Sequence, residues 1–424
     1  MDRKISVVGG GLAGLTAAIF AARAGARVTL HERVSELGGR ARTHADGEFR
    51  FNMGPHALYA KAAGRRVLDE IGVTLSGAAP PLAGAAARYG GRVHALPGGF
   101  VSLLTTGLLG VSEKAETAKL LASLPKLDVS RFHGVPLRQT LEELARQPKV
   151  RELLAALVRL STYAHANDTM CGGSALRQVQ YAFEGGVLYL HGGWGRLVEG
   201  LRAAAQAAGV AIRAGSKVEA VRPAGGGFEI AAGGASEPCD AVVLAVPPPA
   251  ARDLLSGEAA ATLGRWCDSL VPVRAACLEL GLSALPRPKN LFALGIDEPT
   301  YFSVHSSVAR DLAPEGGALI HCARYLGPKE KPGRDELQVQ LEAVIDSMQP
   351  GWRDRVRSQR LLTELVVSHA LVTADLGGQN GRPGPAVPRC PGLFVAGDWV
   401  GAKGQLADAA FASGRAAGRG AADA

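Results

Sequence analysis

The sequence predicts an α/β chain in two domains, one built on a parallel sheet and one an α+β domain with an antiparallel sheet and helices. Three observations predict it. A strand–glycine turn–helix–strand unit opens the chain at Ile5–Glu32. Continuous apolar runs of the kind that suits buried parallel strands recur at Ala241–Pro247 and Gly392–Asp398. Between about 271 and 372 the pattern turns instead to alternating or β-rich pieces. The parallel-sheet domain is therefore discontinuous, assembled from 1–75, 192–260 and 385–424, while 76–191 (mostly helical) and 261–384 form the second domain.

In the opening unit, Ile5–Val8 is apolar and β-branched apart from Ser6, as a short buried strand requires. Leu12–Ala24 is rich in Ala and Leu and reads as a helix, and Val28–Leu30 begins a second strand ending at Glu32. Gly9, Gly11 and Gly14 fall between them in the spacing GxGxxG. The first permits the tight turn, the second lets a pyrophosphate approach the backbone, and the third lets helix and strand pack closely. The helix N-terminus offers unpaired N–H groups and partial positive charge to phosphates. Glu32 stands where a carboxylate can hold ribose hydroxyls. The unit predicts a Rossmann-like dinucleotide site; taken alone it suits a nicotinamide, a flavin, or a turn chosen only for packing.

Further along, "SGAAPPLAGAAA" (Ser76–Ala87) reads as a loop, and Val101 to about Leu160 as mostly helical, with Glu113–Leu124 its clearest amphipathic part. Gly192–Val210 reads as a helix after a glycine turn, with strands next at Lys217–Pro223, Gly227–Gly233 and Ala241–Pro247. The second domain's strands are expected at Ala275–Leu282, Thr300–Ser306, Ala318–Leu326 and Leu361–Ala370, with one helix around Arg334–Ser347. A last alanine-rich helix begins near Leu406.

Composition narrows the function. The chain has 424 residues with 47% hydrophobic and 20% charged, ordinary values for a globular protein with a large core. Net charge is +8, but the basic residues are scattered singly and no Lys/Arg cluster carries regularly placed aromatics, so no nucleic-acid partner is expected. The densest basic run, Arg353–Arg360, reads as a solvated helix face. Six cysteines form no CxxC pair, and no His/Cys cluster has metal-ligand spacing, so no metal is expected. The chain enters its first strand almost at once and shows no leader, and Arg23 interrupts the apolar run from Leu12; the expected location is cytoplasmic.

The stretch after Glu32 separates the cofactor classes. Arg33–Tyr59 is polar, arginine-bearing and glycine-punctuated, where a nicotinamide unit would continue into another crossover helix. Gly38 and Gly39 permit backbone approach, and Arg40 and Arg42 can supply charge to a diphosphate. With these residues in hand, the chain resembles the superfamily of flavin-containing amine oxidases, protoporphyrinogen oxidases and phytoene-desaturase-like enzymes. The resemblance rests on "GGGLAG" with Glu32, "LGGRART", the terminal "GLFVAGDWVGAKGQLADAAFASGRAAG", and more weakly "HGGWGRLVEGL" with "KVEAV" after it. It implies FAD. It places Gly9, Gly11, Gly14 and Glu32 at the adenosine and diphosphate half, with Arg33, Gly39, Arg40 and Arg42 along that side and Val218 at the adenine. It places Gly397 and Asp398 at the ribityl-phosphate side, and Gln405, Leu406 and Ala407 near the flavin ring at a helix N-terminus, where the dipole favours negative charge. Met53, Gly54 and Pro55 pass close to the flavin.

In such proteins the flavin carries the chemistry, so neither a nucleophile triad nor a metal site is required. The resemblance implies two-electron oxidation of a C–C or C–N bond in a hydrophobic small molecule, with oxygen or another acceptor reoxidising the flavin. Many related amine oxidases place a lysine near the flavin, yet only eleven of the 47 basic residues are lysines, and Lys289, Lys329 and Lys331 read as loop residues. That favours a desaturase- or dehydrogenase-like reaction. An amine oxidase releasing hydrogen peroxide, a redox-neutral isomerase and a non-catalytic flavin-bearing partner protein are the alternatives. His56 is the candidate polar contact or proton relay, against a histidine satisfied by backbone hydrogen bonds in a turn. Trp399 and Tyr325 are candidate pocket residues, and Tyr163 and Tyr181 candidate pocket wall; Trp352 reads as surface. Val101–Val111, too short to span a bilayer, reads as packing against the helical part, with substrate entry or transient membrane contact as the functional reading.

Overall fold

The structure is a computed structural model that describes residues 3–81 and 84–424. Its first sheet is five-stranded and wholly parallel, in the order Ala211–Ala214, Arg27–Glu32, Lys4–Val8, Ala241–Leu244, Leu393–Val395. The inner strands are apolar on both faces because both are covered, one by helices and the other chiefly by a β-meander, and Ala241–Leu244 is buried along its whole length. On one face the helix Leu12–Arg23 packs against the last helix, Leu406–Asp423, and against Trp194–Ala207. Gly414 and Gly418 make the first contact close: a Cβ on either would lie within 2.5 Å of a backbone oxygen of the facing helix. Strands drawn from the start, middle and end of the chain thus share one sheet.

The second sheet has seven strands, in the order Val356–Ser368, Val273–Leu282, Ala318–Leu326, Thr300–Val304, Phe292–Gly295, Ala86–Tyr89, Arg92–Ala95. All neighbours are antiparallel except Phe292–Gly295 with Ala86–Tyr89. The helix Arg334–Met348 covers one face of it. A three-stranded meander, Val218–Cys239, lies beside the first sheet, and a helical group between Phe100 and Gly185 has its own core around Phe132, Leu154 and Leu176. Among the described residues no helix is long and apolar enough to cross a membrane.

Three expectations change. Parts of the expected loop Ser76–Ala87 are strand: Gly77–Ala78 pairs with Tyr189 and Leu190, and Ala86 and Ala87 pair with Ala293 and Leu294. Leu82 and Ala83 of that loop lie outside the described residues. Alanine has weak strand preference, but in Ala86–Tyr89, paired on both sides, close packing decides over propensity. The basic run Arg353–Arg360 is a short 3₁₀ turn, Trp352–Arg355, running into an edge strand, not a helix face. Trp352 is 2% exposed, packed under the helix Arg334–Met348 with its Nε1 donating to Asp346 at 2.8 Å.

Candidate active site

A cavity of about 890 Å³ opens along the C-terminal ends of the parallel strands, where open α/β sheets place their ligands. Val8, Glu32, Ala245–Pro247 and Ala396–Asp398 line it as each strand ends, and Leu365–Val367 of the second sheet close the far side. The glycine turn is built as the spacing implies. Gly9 has φ +107° and lies against the backbone of Ala245, while a Cβ on Gly14 would sit 1.8 Å from the Gly9 oxygen. Gly14 therefore serves packing and does not line the cavity. Gly11 does, and a Cβ on it would meet nothing nearer than 3.9 Å, leaving its backbone open to a ligand.

Charged groups are held in place around that turn. Glu32 accepts from Gly10 N–H at 2.8 Å and from Val34 N–H at 3.1 Å. Arg40 donates to Asp398 at 2.8 Å and to the Val367 carbonyl at 2.9 Å; Arg42 uses only Nε, on the Gly39 carbonyl. Burial works to raise the Asp398 carboxyl, but the Arg40 guanidinium and His369 prevail and hold it below the ordinary carboxylate range. Its Oδ2 also accepts from His369 N–H, whereas Oδ1 is buried without a partner. The cavity-lining Trp194 likewise buries an unpartnered Nε1. Buried polar atoms left unpaired beside an open glycine backbone and a helix start are what a bound dinucleotide would complete. The residues present fit FAD.

Arg33, Gly39, Met53, Pro55, His56, Val218, Gly397, Trp399, Leu406 and Ala407 also line the cavity. Gly54 lies in the turn behind Met53 and Pro55. Gln405 caps the last helix and donates to the Ser174 carbonyl instead of facing the cavity. Leu406 has φ +54°, a left-handed conformation rare for a branched side chain and typical of strained functional sites. His56 makes the backbone bond of the turn, Nδ1 to the Gly54 carbonyl at 2.9 Å, and its ring also lines the cavity against Trp194. Burial pushes its pKa down to about 4, so the ring is neutral at physiological pH.

Tyr325 does not reach the cavity. It is buried one layer behind Tyr163, with ring centroids 6.0 Å apart, and Tyr163 forms the wall while its hydroxyl donates to Pro55 O at 2.9 Å. Tyr181 stands outside, under Arg177. The sequence reading missed Leu58, Tyr59, Leu365 and Asp408, all of which line the cavity. Asp408 accepts from Gly64 N–H at 2.5 Å, and burial pushes its pKa up to about 6. No motif marks Leu365, and Asp408 was passed over although it stands in the terminal motif directly after Ala407; Ala245–Pro247 had a signal of its own, the end of an apolar parallel strand. Cys277, Glu279 and His321 bring three buried donor atoms within 4.8 Å of one another. Both Glu279 oxygens are already engaged there, by Gly54 N–H and Arg360.

Comparison with known proteins agrees with the site. The family described as "Flavin containing amine oxidoreductase" matches residues 12–420. A carotenoid 3,4-desaturase of Haloarcula japonica is 58% identical over 52 residues, 12% of this chain and 10% of that protein. A 4,4'-diaponeurosporene oxygenase of Staphylococcus aureus is 41% identical over 58 residues, 14% of this chain and 12% of that protein. The matched stretch thus spans only about a tenth of these curated relatives. Among solved structures, an oxidoreductase from Methanosarcina mazei has a TM-score of 0.76 at 19% identity, covering 97% of this chain and 98% of that one. A putrescine oxidase bound to putrescine reaches 0.71 at 14% identity, with 99% and 98% covered. A fatty acid isomerase from P. acnes reaches 0.67 at 14%, with 97% of each covered. The fold is common to all three. With the glycine turn, the Arg40–Asp398 pair and a family match over nearly its whole length, this chain belongs to the flavin-containing amine oxidoreductases, enzymes whose cofactor is FAD.

Proposed function

We propose that the chain removes two electrons from a C–C or C–N bond of a hydrophobic small molecule, by a desaturase- or dehydrogenase-like reaction. FAD, when bound, supplies the two-electron acceptor, which oxygen or another acceptor then restores. The Gly9–Gly11 turn and the N-terminus of the adjoining helix hold the diphosphate, with Arg42 contributing its free guanidinium nitrogens. Glu32 takes ribose hydroxyls on its remaining lone pairs, Val218 packs on the adenine, and Asp398 Oδ1 takes a ribityl hydroxyl. The N-terminus of Leu406–Asp423, whose Leu406 and Ala407 line the cavity, would lie at the ring end, where its dipole favours negative charge. His56, neutral and bonded through Nδ1, offers Nε2 as the hydrogen-bond or proton acceptor beside the substrate.

The wall around His56 carries this reading. Leu58, Tyr59, Tyr163, Trp194 and Leu365 make it apolar and aromatic, and Lys217, beside Val218, is the only lysine among the described lining residues. A cationic diamine finds no exposed carboxylate on that wall, since Asp408 is turned to Gly64 N–H. The short matches to a carotenoid desaturase and a diaponeurosporene oxygenase support an elongated apolar substrate. Transient membrane contact is consistent with such a substrate: Phe100, Val101 and Leu104 of the helix Phe100–Thr105, and Val111 at the start of the next, are 56–88% exposed, while Leu103 packs into the core that backs Tyr163.

Anaerobic mixing of the FAD-loaded protein with partly saturated isoprenoids and with amines tests the proposal. Bleaching of the flavin bands by an isoprenoid supports it. Bleaching only by amines, with peroxide release in air, points to the amine oxidase. A rearranged product without net electron transfer points to the isomerase, and no bleaching by either class to a flavin-bearing partner protein.

A further inference from the structure

The turn that presents His56 is held by side chains from several distant segments, and its keystone is a buried charge. Glu279, in the strand Val273–Leu282, is fully buried, as few carboxylates are. Its Oε1 accepts from Gly54 N–H at 2.8 Å, and its Oε2 from Arg360 Nε at 2.5 Å. Arg360 then donates through a terminal nitrogen to the Asn52 carbonyl at 2.8 Å. One ion pair thus grips two backbone groups of the turn, one at each side of Met53. Tyr163 holds the Pro55 carbonyl, and Asn52 Oδ1 accepts from Trp194 N–H and Thr43. The Gly54 carbonyl is left for His56. Burial would push the Glu279 carboxyl up; His321 and Arg360 outweigh it and hold it below the ordinary value.

The geometry points to Glu279, with Arg360, as a positioning residue of the proposed active site: it orients the Gly54 peptide so that the Gly54 carbonyl fixes the His56 ring. The inference rests on the cavity role proposed for His56. A carbonyl only accepts, so a bond to it requires the proton on Nδ1 and leaves the lone pair on Nε2. Neither residue touches the cavity, since the contact is relayed through one peptide unit. Gly54 itself suits the relay, with φ +84°, where a side chain is strained, and a Cβ position 2.6 Å from a terminal methyl of Leu365, which a side chain there would have to displace. With Glu279 fully buried and Arg360 29% exposed, the pair is a poor source of net stability, because desolvating the carboxylate cancels much of the attraction, and an apolar pair of similar size is often tolerated. Its place behind the turn is better explained by orientation.

The double variant Glu279→Met/Arg360→Met removes both grips together with both charges of the pair, leaving only His321, 3.2 Å from Glu279 Oε1, without its partner. In FAD-loaded protein with ¹⁵N-labelled histidine, the His56 ring shifts report the tautomer directly, with His56→Gln giving the assignment. A hydrogen bond of ordinary net strength biases the native ring toward Nδ1–H by about fivefold; the double variant is expected to bring the ratio close to one. An unchanged ratio in a folded double variant overturns the inference, even if its melting temperature falls. Should that variant not fold, Glu279→Leu, which removes the grip on Gly54 while the partly exposed Arg360 keeps access to water, is read in the same way. No substrate enters the measurement, so failure of the proposed oxidation does not disturb it.

Discussion

Arg40 and Asp398 meet at 2.8 Å across 358 residues of chain, joining the glycine-rich segment after the second strand to the turn after the last one. Asp398 is buried and uses one oxygen for this pair, so its other oxygen is left without a partner at the cavity. Asp398→Asn keeps the shape and removes the charge. FAD retention after ultrafiltration should fall about tenfold or more, the usual size of a lost charge-assisted hydrogen bond. Equal retention would show that Asp398 does not hold the cofactor.

Gly11→Ala and Gly14→Ala should part company. At Gly14 the new methyl lies 1.8 Å from a backbone oxygen, so the helix must move and the fold should lose about 3 kcal/mol or more, seen as a lower melting temperature without FAD. At Gly11, φ is −79° and the nearest atom is 3.9 Å away, so stability without FAD should change by less than about 0.5 kcal/mol. FAD binding should nevertheless weaken sharply, because the methyl fills the space through which the diphosphate approaches.

Asp408 gives a pH signature of its own. Burial raises its pKa from 3.8 to about 6, so between these values the folded chain keeps a proton that the unfolded chain releases. Its contribution to stability is therefore lost as pH rises from about 4 to about 6, amounting to about 3 kcal/mol by linkage. Asp408→Asn can still accept from Gly64 N–H and should stabilise the protein at pH 7.5 but hardly at pH 4. Urea melts at the two values check this, and equal gains at both would contradict it.

His56 has the opposite sign. Its folded pKa is pushed from 6.5 to about 4, so as pH falls through this window the unfolded chain binds a proton that the folded chain refuses, and stability drops. His56→Gln should flatten that part of the urea-melt profile. A profile unchanged between pH 4 and 6.5 would mean that the ring is freely protonated in the folded protein.

The exposed side chains of Phe100, Val101 and Leu104 stand together on one short helix. If they enter a lipid surface, each contributes about 1.5–3 kcal/mol of transfer. Replacing all three with serine should reduce co-sedimentation with phospholipid vesicles by more than about tenfold, with FAD content unchanged. Wild-type protein that stays in the supernatant would end the membrane reading.

The parallel-sheet unit is legible in the sequence because its signals are local. Gly9, Gly11 and Gly14 carry a spacing tied to one turn geometry, and Ile5–Val8 and Ala241–Leu244 are apolar because both their faces are covered. The alanine strand Ala86–Tyr89 is not legible, since its preference comes from the neighbour it packs on. Trp352 misleads for the same reason: the charges next to it in sequence turn outward while its ring turns in.

By itself the sequence determined the fold class, through strand hydrophobicity and glycine spacing that constrain the chain within a few residues of each other, and, through its resemblance to a flavin family, the cofactor; most of the residues it marked for that cofactor line the cavity. Only the tertiary structure decided that Asp398 is held by Arg40, that Tyr163 and not Tyr325 forms the cavity wall, and that Glu279 grips the turn before His56. Those relations join residues tens to hundreds of positions apart. Their partners are chosen by how helices and sheets pack, and no spacing in the chain encodes that choice.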